Sequence, residues 1–271
     1  MMTIRSYISC FAFVGFLSRH TEAFLTVRRP DLPGLSSASK AAATTNTATR
    51  LSAENMSDTE RKPWELFRFL QQSSKFVQPP PLIGRRRSTT IVQPGDTLWQ
   101  AGSPAGSDSF TMAPLDDVVM GGASASQFDD ATGIWSGTVT TANSGGFVGL
   151  RSTPAGLALD CRACRGLQWR VKNPSNRKIR FKFVLRDSTD FNGITWTTSV
   201  DVKPGVSTVK IPFDKQVPAL FARVISDATP FDKSSVQAVQ VAYSKFEYDG
   251  GLNPTFATGP VKLQLLELSS F

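Results

Sequence analysis

Histidine and cysteine, which carry much of protein chemistry, are almost missing from this chain. Its 271 residues include one histidine and three cysteines. The histidine, His20, and one cysteine, Cys10, lie in an N-terminal stretch with the pattern of a cleaved presequence. The mature protein is therefore expected to lack imidazole. This excludes Ser-His-Asp triads, histidine acid/base catalysis and histidine metal sites.

Nucleotide-binding and hydrolase motifs are also absent from the sequence. No Walker A box, no G-x-G-x-x-G after a strand and no G-x-S-x-G elbow occurs. The formal net charge is +8, and residues 1–55 contribute three of these charges. The remaining excess favours solubility and contact with an acidic partner surface, and it does not indicate a nucleic-acid-binding stripe. We expect no cofactor and no specific nucleic-acid binding.

Residues 1–55 are predicted to be targeting sequence. Residues 1–23 begin with a basic region, continue with an apolar run over 10–17 and end in small residues, which is the layout of a signal peptide. Residues 24–55 begin with Phe24 and continue as a basic Ser/Ala/Thr-rich tract, which is typical of a transit peptide. This order resembles the bipartite presequence of algae whose plastids have extra surrounding membranes. It predicts a plastid protein, with secretion and a mitochondrial presequence as the alternatives.

Residues 56–95 are expected to hold one helix and a Pro/Arg linker. A proline in the first turn and apolar residues at roughly helical spacing predict a helix over 62–77, with the apolar positions Trp64, Phe67, Leu70, Phe76 and Val77. We expect this aromatic face to pack on the domain that follows; a partner protein or a membrane surface is the alternative. The prolines at 79–81 end the helix. The arginines at 85–87 are interpreted as a solvated linker, with anion or RNA contact as the alternative.

Residues 96–271 are predicted to form one antiparallel β-sandwich. Apolar and polar residues alternate with a period of two in short segments that Asn, Asp, Gly and Pro turns separate. The clearest segments are 133–140, 167–171, 179–185, 194–202, 209–213, 239–243 and 261–265. Roughly 170 residues are enough to bury a substantial core.

Two boxes with double glycines stand out within this domain. The first runs from paired carboxylates into a double glycine and contains Asp116, Asp117, Met120, Gly121, Gly122 and Ser124. The second contains Asn143, Gly145, Gly146, Phe147, Arg151 and Ser152. Double glycines allow positive φ and close backbone approach. Over Trp99–Phe271 the chain resembles the NADH:ubiquinone oxidoreductase (complex I) intermediate-associated protein 30 family, whose signatures are D-D-V-M-G-G-x-S and N-x-G-G-F-x-x-x-R-S. It departs from the first signature by one additional valine.

The resemblance implies an all-β, antiparallel jelly-roll β-sandwich similar to galactose-binding domains. It further implies a non-enzymatic assembly factor or chaperone for an organellar electron-transfer complex, either a photosynthetic complex or complex I. Such a protein would bind protein subunits of that complex, and peripheral membrane association is compatible with this role. The family name mentions NADH because of the complex that the family helps to build, so no dinucleotide site is implied. The alternative is a carbohydrate- or small-ligand-binding module, for which Trp135, Trp196 and Phe191 would have to be exposed.

The charged residues of the boxes have a structural and a functional interpretation. Neighbouring carboxylates on a strand point to opposite faces, so they rarely converge on one ligand. We expect Asp116 or Asp117 to accept backbone N–H bonds from the glycine turn or to pair with Arg151. A calcium ion and catalysis are the alternatives. For Arg151 we expect a structural ion pair; the alternative is a ligand-facing arginine at the sandwich mouth.

Cys161 and Cys164 form a CxxC motif in a turn that leads into a strand. One CxxC without histidine or further cysteines cannot complete a four-ligand zinc site. Thioredoxin-type chemistry expects a helix N-terminus beside a βαβ unit. Two ordinary thiols are therefore the first interpretation. A local regulatory disulfide, which would make this a redox-responsive stromal protein, is the alternative.

Overall fold

A computed structural model describes residue 63 and residues 65–76, 88–104, 108–153 and 157–271. Several predictions fall elsewhere. The signal peptide, the transit-like segment, Trp64 and the segment 77–87 with its proline and arginine runs lie outside the described residues. The described residues belong to one compact unit, Asp58–Phe271.

One α-helix and fifteen strands are formed within the described residues. Helix α1 spans Leu66–Ser74. The strands are β1 Ser88–Ile91, β2 Thr97–Gln100, β3 Met112–Pro114, β4 Ala125–Asp129, β5 Ile134–Val139, β6 Phe147–Ser152, β7 Leu157–Asp160, β8 Gly166–Asn173, β9 Ile179–Arg186, β10 Thr195–Val202, β11 Gly205–Pro212, β12 Val217–Leu220, β13 Arg223–Val224, β14 Ala238–Ser244 and β15 Gly259–Ser270. In this part of the chain, no helix has the length and apolar character needed to cross a bilayer.

The strands form two large antiparallel sheets that pack face to face. The seven-stranded sheet has the order β13-β12-β10-β9-β14-β6-β3. The six-stranded sheet has the order β11-β8-β15-β5-β4, with β2 also paired to β15. Strands β1 and β7 form a separate parallel pair, and β1 lies within the stretch that was expected to be a linker. The predicted fold, an all-β jelly-roll sandwich with one N-terminal helix, is confirmed.

Alternating side chains build the core between the sheets. On β8, Trp169 is 1% exposed while its neighbour Arg170 faces solvent, as a strand with one core face requires. Aromatic rings then connect the sheets. The Trp135 ring of β5 lies 6.2 Å from the Phe181 ring of β9, which lies 5.8 Å from the Tyr243 ring of β14. Burial of one such ring contributes roughly 1.5–3 kcal/mol. The Trp135–Phe181 contact therefore helps to hold the two sheets together, and the Phe181–Tyr243 contact joins neighbouring strands of one sheet.

Helix α1 docks on the sandwich through a different face from the predicted one. Phe67 and Leu70 are 81% and 53% exposed, so the expectation that they pack on the domain is wrong. Residues at i, i+4 and i+8 make the contact instead: Arg68, Gln72 and Phe76. Of the predicted apolar positions that the structure describes, only Phe76 is buried. Polar residues dominate this contact because a buried carboxylate on the sandwich needs donors, which aromatic rings cannot supply.

Candidate functional site

Both glycine boxes lie at one edge of the sandwich, where the chain crosses between the sheets. The first box links β3 of the seven-stranded sheet to β4 of the six-stranded sheet through a 3₁₀ turn at Asp117–Met120. The second returns from β5 to β6 through a 3₁₀ turn at Ala142–Ser144. Contacts between these two crossovers therefore join the sheets at this edge.

The carboxylate of Asp117 connects the two crossovers, and it is 1% exposed. Its Oδ1 accepts a hydrogen bond from Ser124 N at 2.8 Å. Its Oδ2 accepts bonds from Ser124 Oγ at 2.7 Å, Gly146 N at 2.7 Å and Phe147 N at 3.2 Å. Such donors stabilise the charged form of a buried carboxylate. The N–H bonds expected from a glycine turn are therefore present, and donors from both boxes reach Asp117.

Gly122 and Gly145 have no side chain, and the Asp117 carboxylate occupies the space that a side chain there would fill. A Cβ on Gly122 would lie 2.8 Å from Asp117 Cβ and closer still to the carboxylate carbon. A Cβ on Gly145 would lie 3.0 Å from Ala142 O and closer still to Asp117 Oδ2. A real side chain cannot approach so closely, so at both positions close packing against Asp117 requires glycine.

Positive φ accounts for the other glycine of each pair. Gly121 ends the first 3₁₀ turn with φ 91°, and Gly146 has φ 139°. Both values favour glycine. Asn143 has φ 55°, a left-handed conformation that asparagine tolerates. Its Nδ2 donates to Gly121 O at 3.0 Å, which gives the boxes a second contact.

Asp116 connects the sandwich to helix α1. Gln72 donates from Nε2 to Asp116 Oδ2 at 2.9 Å and accepts from Asp116 N at 3.0 Å, so its amide pairs with this residue twice. Arg68 Nη2 lies 3.5 Å from the same carboxylate. Ser126 donates to it from N at 2.7 Å and from Oγ at 2.6 Å. Burial raises the pKa of Asp116, and the hydrogen bonds from Ser126 and Gln72 oppose that rise.

These contacts favour a structural role for both carboxylates. N–H and O–H donors point at the oxygens of Asp116 and Asp117, whereas Ca²⁺ needs oxygen lone pairs that are left free for the ion. Among the described residues, no three His, Cys, Asp or Glu side chains are grouped so that they could hold a metal ion. The two residues are 0% and 1% exposed, and their oxygens already accept donors of the protein, which favours a structural role over catalysis.

Ser124 stabilises the edge formed by the two crossovers, Ser152 stabilises the pairing of β6 with β14, and Met120 does neither. Ser124 Oγ accepts a bond from Thr140 N at 3.0 Å, and Ser152 Oγ accepts one from Val239 N at 3.0 Å. Met120 ends the 3₁₀ turn that helix α1 contacts, and 47% of its surface is exposed. It is therefore available to a partner.

Arg151 does not form the expected structural ion pair, and that prediction is wrong. The residue is 6% exposed, and no Asp or Glu oxygen of the described residues lies within 4.0 Å of its nitrogens. Its guanidinium carbon instead lies 5.7 Å from the ring centre of Phe76 and 5.4 Å from that of Phe191, which are cation–π distances. Burial, followed by repulsion from Arg186, lowers the pKa of Arg151 to about 9. The group is therefore still charged at neutral pH.

Arg186 is a second buried arginine near Arg151, at 3% exposure. Its Nη2 donates to the carbonyl oxygens of Asp190, Phe191 and Gly193, which fixes the loop between β9 and β10. Burial lowers its pKa, and the charge of Asp190 opposes the shift. Among the described residues, neither the Nε atom of Arg151 nor that of Arg186 has a hydrogen-bond partner, and both atoms are buried.

Cys161 and Cys164 are buried free thiols. Burial raises the pKa of Cys161 to about 12, and it also raises the pKa of Cys164. The reactive thiolate is therefore disfavoured at neutral pH. The geometry favours two ordinary thiols, and the regulatory disulfide stays a prediction.

The aromatic residues of the predicted ligand-binding mouth do not form an exposed platform. Trp135 and Trp196 are 1% and 7% exposed, and Phe191 is half-buried against Arg151. A cavity of about 210 Å³ lies beside Trp196 and is lined by Asp187, Ser188, Gly193, Ile194, Trp196 and Thr229. Small-molecule sites usually measure roughly 300–1,000 Å³. This arrangement weakens the alternative of a carbohydrate-binding module.

The sequence interpretation missed three residues of this site: Arg68, Gln72 and Arg186. Arg68 and Gln72 lie four residues apart, and Phe76 follows after another four, so the three share one face of the helix. That spacing is the signal that could have revealed them. Arg186 has no such signal, because it ends an ordinary alternating strand.

Fold and site together define a class of protein. It is a β-sandwich domain whose most distinctive polar residues join its own two sheets and hold its own helix. Apolar residues of that helix remain exposed at the same edge.

The profile of the family named Complex I intermediate-associated protein 30 (CIA30) matches residues 102–265. The chain belongs to this family, as its two boxes indicated. The family is known for assembly factors and not for enzymes. No curated protein matches the chain.

Some solved structures are similar to this chain at low sequence identity. A family 11 carbohydrate-binding module from Clostridium thermocellum, in complex with a β-1,3-1,4-mixed-linked tetrasaccharide, is 17% identical with a TM-score of 0.41, covering 65% of this chain and 96% of the module. The family 11 module of the cellulase Lic26A-Cel5E from the same organism is 15% identical with a TM-score of 0.43, covering 66% and 96%. The agarase AgWH50C is 7% identical with a TM-score of 0.38, covering 66% of this chain and 26% of the agarase. Similarity at this level does not bear on function.

Proposed function

We propose that this protein is a non-enzymatic assembly factor that binds subunits of a multi-subunit electron-transfer complex in an organelle. Membership of the CIA30 family over residues 102–265 supports an assembly role. The observation that carries the proposal is that the carboxylates of the first box are hydrogen-bonded within the protein. Asp116 and Asp117 are bonded to donors of the protein itself, so the signature maintains a shape and does not react with a substrate.

The client surface that we propose lies on helix α1 and the turn beneath it. Leu66, Phe67 and Leu70 are 52%, 81% and 53% exposed, and Met120 in the contacted turn is 47% exposed. Exposed apolar clusters are typical of protein interaction sites. The double pairing of Gln72 with the box holds the helix in place, so these side chains are presented on a fixed element.

The compartment decides which complex is the client. The pattern of residues 1–55 favours a plastid, and hence a photosynthetic complex. A mitochondrial location would make complex I the client. Peripheral membrane association fits a client that is built in a membrane.

Affinity purification from organelle extract tests this function. The tagged wild type is expected to capture subunits of one membrane complex, and its loss should lower the assembled complex and leave partially built intermediates. Phe67→Asp should lose most of the capture, because it places a charge in the apolar contact. Leu252→Asp is the matched control, since Leu252 is 63% exposed in another part of the chain. Capture of no complex subunit, together with binding to sugars on a glycan array, would overturn the proposal in favour of the ligand-binding module.

A fluorescent fusion to the full presequence tests the compartment. We expect plastid fluorescence for the wild type. Phe24→Ala should leave the fusion in compartments outside the innermost envelope. Mitochondrial fluorescence of the wild-type fusion would contradict the plastid and favour complex I.

A further inference from the structure

The outer face of the seven-stranded sheet buries a charged residue that points away from the core. Leu150 and Val241 on the paired strands β6 and β14 are fully buried between the sheets. Their neighbours Arg151 and Gln240 therefore point to the outer face. Arg151 is nevertheless only 6% exposed. Elements that fold over the outer face must cover it.

Two aromatic rings form this cover. Phe76, just beyond helix α1, brings its ring centre to 5.7 Å from the guanidinium carbon of Arg151. The loop between β9 and β10 brings Phe191 to 5.4 Å, and Arg186 fixes this loop through its carbonyl groups. Ring faces attract a cation, but they cannot accept the in-plane hydrogen bonds of a guanidinium group.

The described part of the chain supplies no counter-ion for Arg151. The carboxylates of Asp116 and Asp117 are occupied by donors from the boxes and from helix α1. Arg186 adds a second buried guanidinium, and the Nε atoms of both arginines have no partner in this part of the chain. A buried charge without a partner is strongly destabilising. A bound anion would remove that cost.

We propose that Arg151 anchors a binding site for a carboxylate, contributed by an acidic side chain of the client protein. A guanidinium presents its N–H groups as a planar fork, which a carboxylate matches with two parallel hydrogen bonds. The rings of Phe76 and Phe191 exclude water beside this fork, and an ion pair is stronger where water is excluded. The client as donor rests on the proposed assembly function. The carboxylate site itself rests only on the geometry around Arg151.

Purified protein and a small carboxylate probe test the site. N-acetyl-glutamate N-methylamide is titrated at constant ionic strength, and the Nε–Hε resonance of Arg151 is followed by NMR. The neutral glutamine analogue is the matched probe. We expect the glutamate probe to shift this resonance and the glutamine probe to leave it unchanged. Equal shifts would overturn the proposal, and so would tighter binding of inorganic phosphate than of the glutamate probe.

Variants of Arg151 test whether the glutamate probe binds at this side chain. Arg151→Met keeps an unbranched apolar stem and removes the charge. It should bind the glutamate probe about tenfold or more weakly, because a charge-assisted pair is lost. Arg162→Met is the matched control, since the Arg162 side chain is 73% exposed and already pairs with Asp160. Equal affinity of Arg151→Met and wild type would overturn the proposal. If Arg151→Met does not fold, Arg151→Lys decides, because it keeps the charge without the fork and should also bind more weakly.

Client capture separates this proposal from the assembly function. Capture by the wild type and not by Arg151→Met supports an acidic side chain of the client as the donor. Capture by both, with probe binding lost in the variant, overturns the client as donor and leaves the assembly function standing. Absence of capture by the wild type overturns the assembly function, while the probe titration still decides the carboxylate site.

Discussion

Two buried charges, one held by the start of strand β6 and one carried near its end, are treated in opposite ways. At the start of the strand, the carboxylate of Asp117 accepts four hydrogen bonds from Ser124, Gly146 and Phe147. Near its end, the guanidinium of Arg151 contacts two aromatic rings and makes no ion pair in the described part of the chain. The residues are 1% and 6% exposed, so water compensates neither charge.

The difference separates what the fold needs from what a partner can use. Burial of a charge is costly unless new bonds replace those to water. Asp117 is compensated inside the protein, so its loss should weaken the fold. Arg151 is not compensated in this way, so its loss should spare the fold and its charge is free to attract an anion.

The largest effect is expected where Asp117 has no space to move. Gly122→Ala places a methyl group 2.8 Å from Asp117 Cβ, which forces the carboxylate away from its donors and separates the two crossovers. We expect the free energy of unfolding to fall by about 4 kcal/mol or more, measured by urea denaturation. Gly251→Ala is the matched control, because its Cβ would meet only the side chain of exposed Asp249. Similar losses in both variants would contradict this role of Gly122.

A smaller loss is expected when the carboxylate of Asp117 becomes an amide. Asp117→Asn keeps the shape but turns one acceptor into a donor that faces buried N–H and O–H groups. The free energy of unfolding should fall by about 2–4 kcal/mol. Asp249→Asn is the control, since Asp249 is exposed and accepts a hydrogen bond from Gly251 N at 3.0 Å. A chelator that destabilises the wild type as strongly as the substitution would revive the calcium interpretation.

Removal of the Gln72 side chain should release the helix and leave the sandwich intact. Gln72→Ala removes both bonds to Asp116, at a cost of about 1–2 kcal/mol. Hydrogen exchange should accelerate in α1 and remain unchanged in β8 and β15. Gln71→Ala is the control, because Gln71 is exposed on the same helix. Unchanged exchange in α1 would show that these bonds do not hold the helix.

The smallest effect concerns Lys182, a half-buried lysine of β9 whose Nζ donates to Phe246 O at 2.8 Å. Burial lowers the pKa of Lys182 from 10.5 to about 8, and Glu247 opposes the shift. Between these values the unfolded chain holds a proton that the folded protein has released, so stability rises with pH. Relative to Lys182→Met, the wild type should gain up to about 1 kcal/mol across this window. The difference should be constant below pH 8.

Control measurements on Lys262→Met, a change at an exposed lysine of β15, should show no such window. A difference between wild type and Lys182→Met that stays flat from pH 7 to 10.5 would contradict the lowered pKa of Lys182.

The sequence predicted those parts of the fold whose information is local. Apolar and polar residues alternate over six or more positions in strands such as Ile134–Val139 and Ile179–Arg186. The sequence therefore shows which side of each strand faces the core. Strands β1 and β13 are too short to show a pattern, and β1 falls in the segment that the sequence predicts to be a linker. The boxes were found because glycine pairs and paired carboxylates are rare and adjacent in sequence.

Partners distant in sequence were harder to predict. Gln72 and Asp116 are separated by 44 positions, and a polar contact leaves no trace in apolar periodicity. The aromatic residues of α1 therefore suggested the wrong docking face. Arg151 was expected to find a carboxylate nearby, but the carboxylates of the first box are taken by donors that only the folded chain brings together.

The free energy of unfolding of Arg151→Met, measured by urea denaturation beside Asp117→Asn, decides whether the charges of Arg151 and Asp117 differ in this way. If Arg151 serves a partner and not the fold, Arg151→Met should be as stable as the wild type or more stable, because an unpaired buried charge has been removed. A loss of about 2 kcal/mol or more, similar to that of Asp117→Asn, would contradict this prediction. It would place Arg151 among the residues that hold the fold.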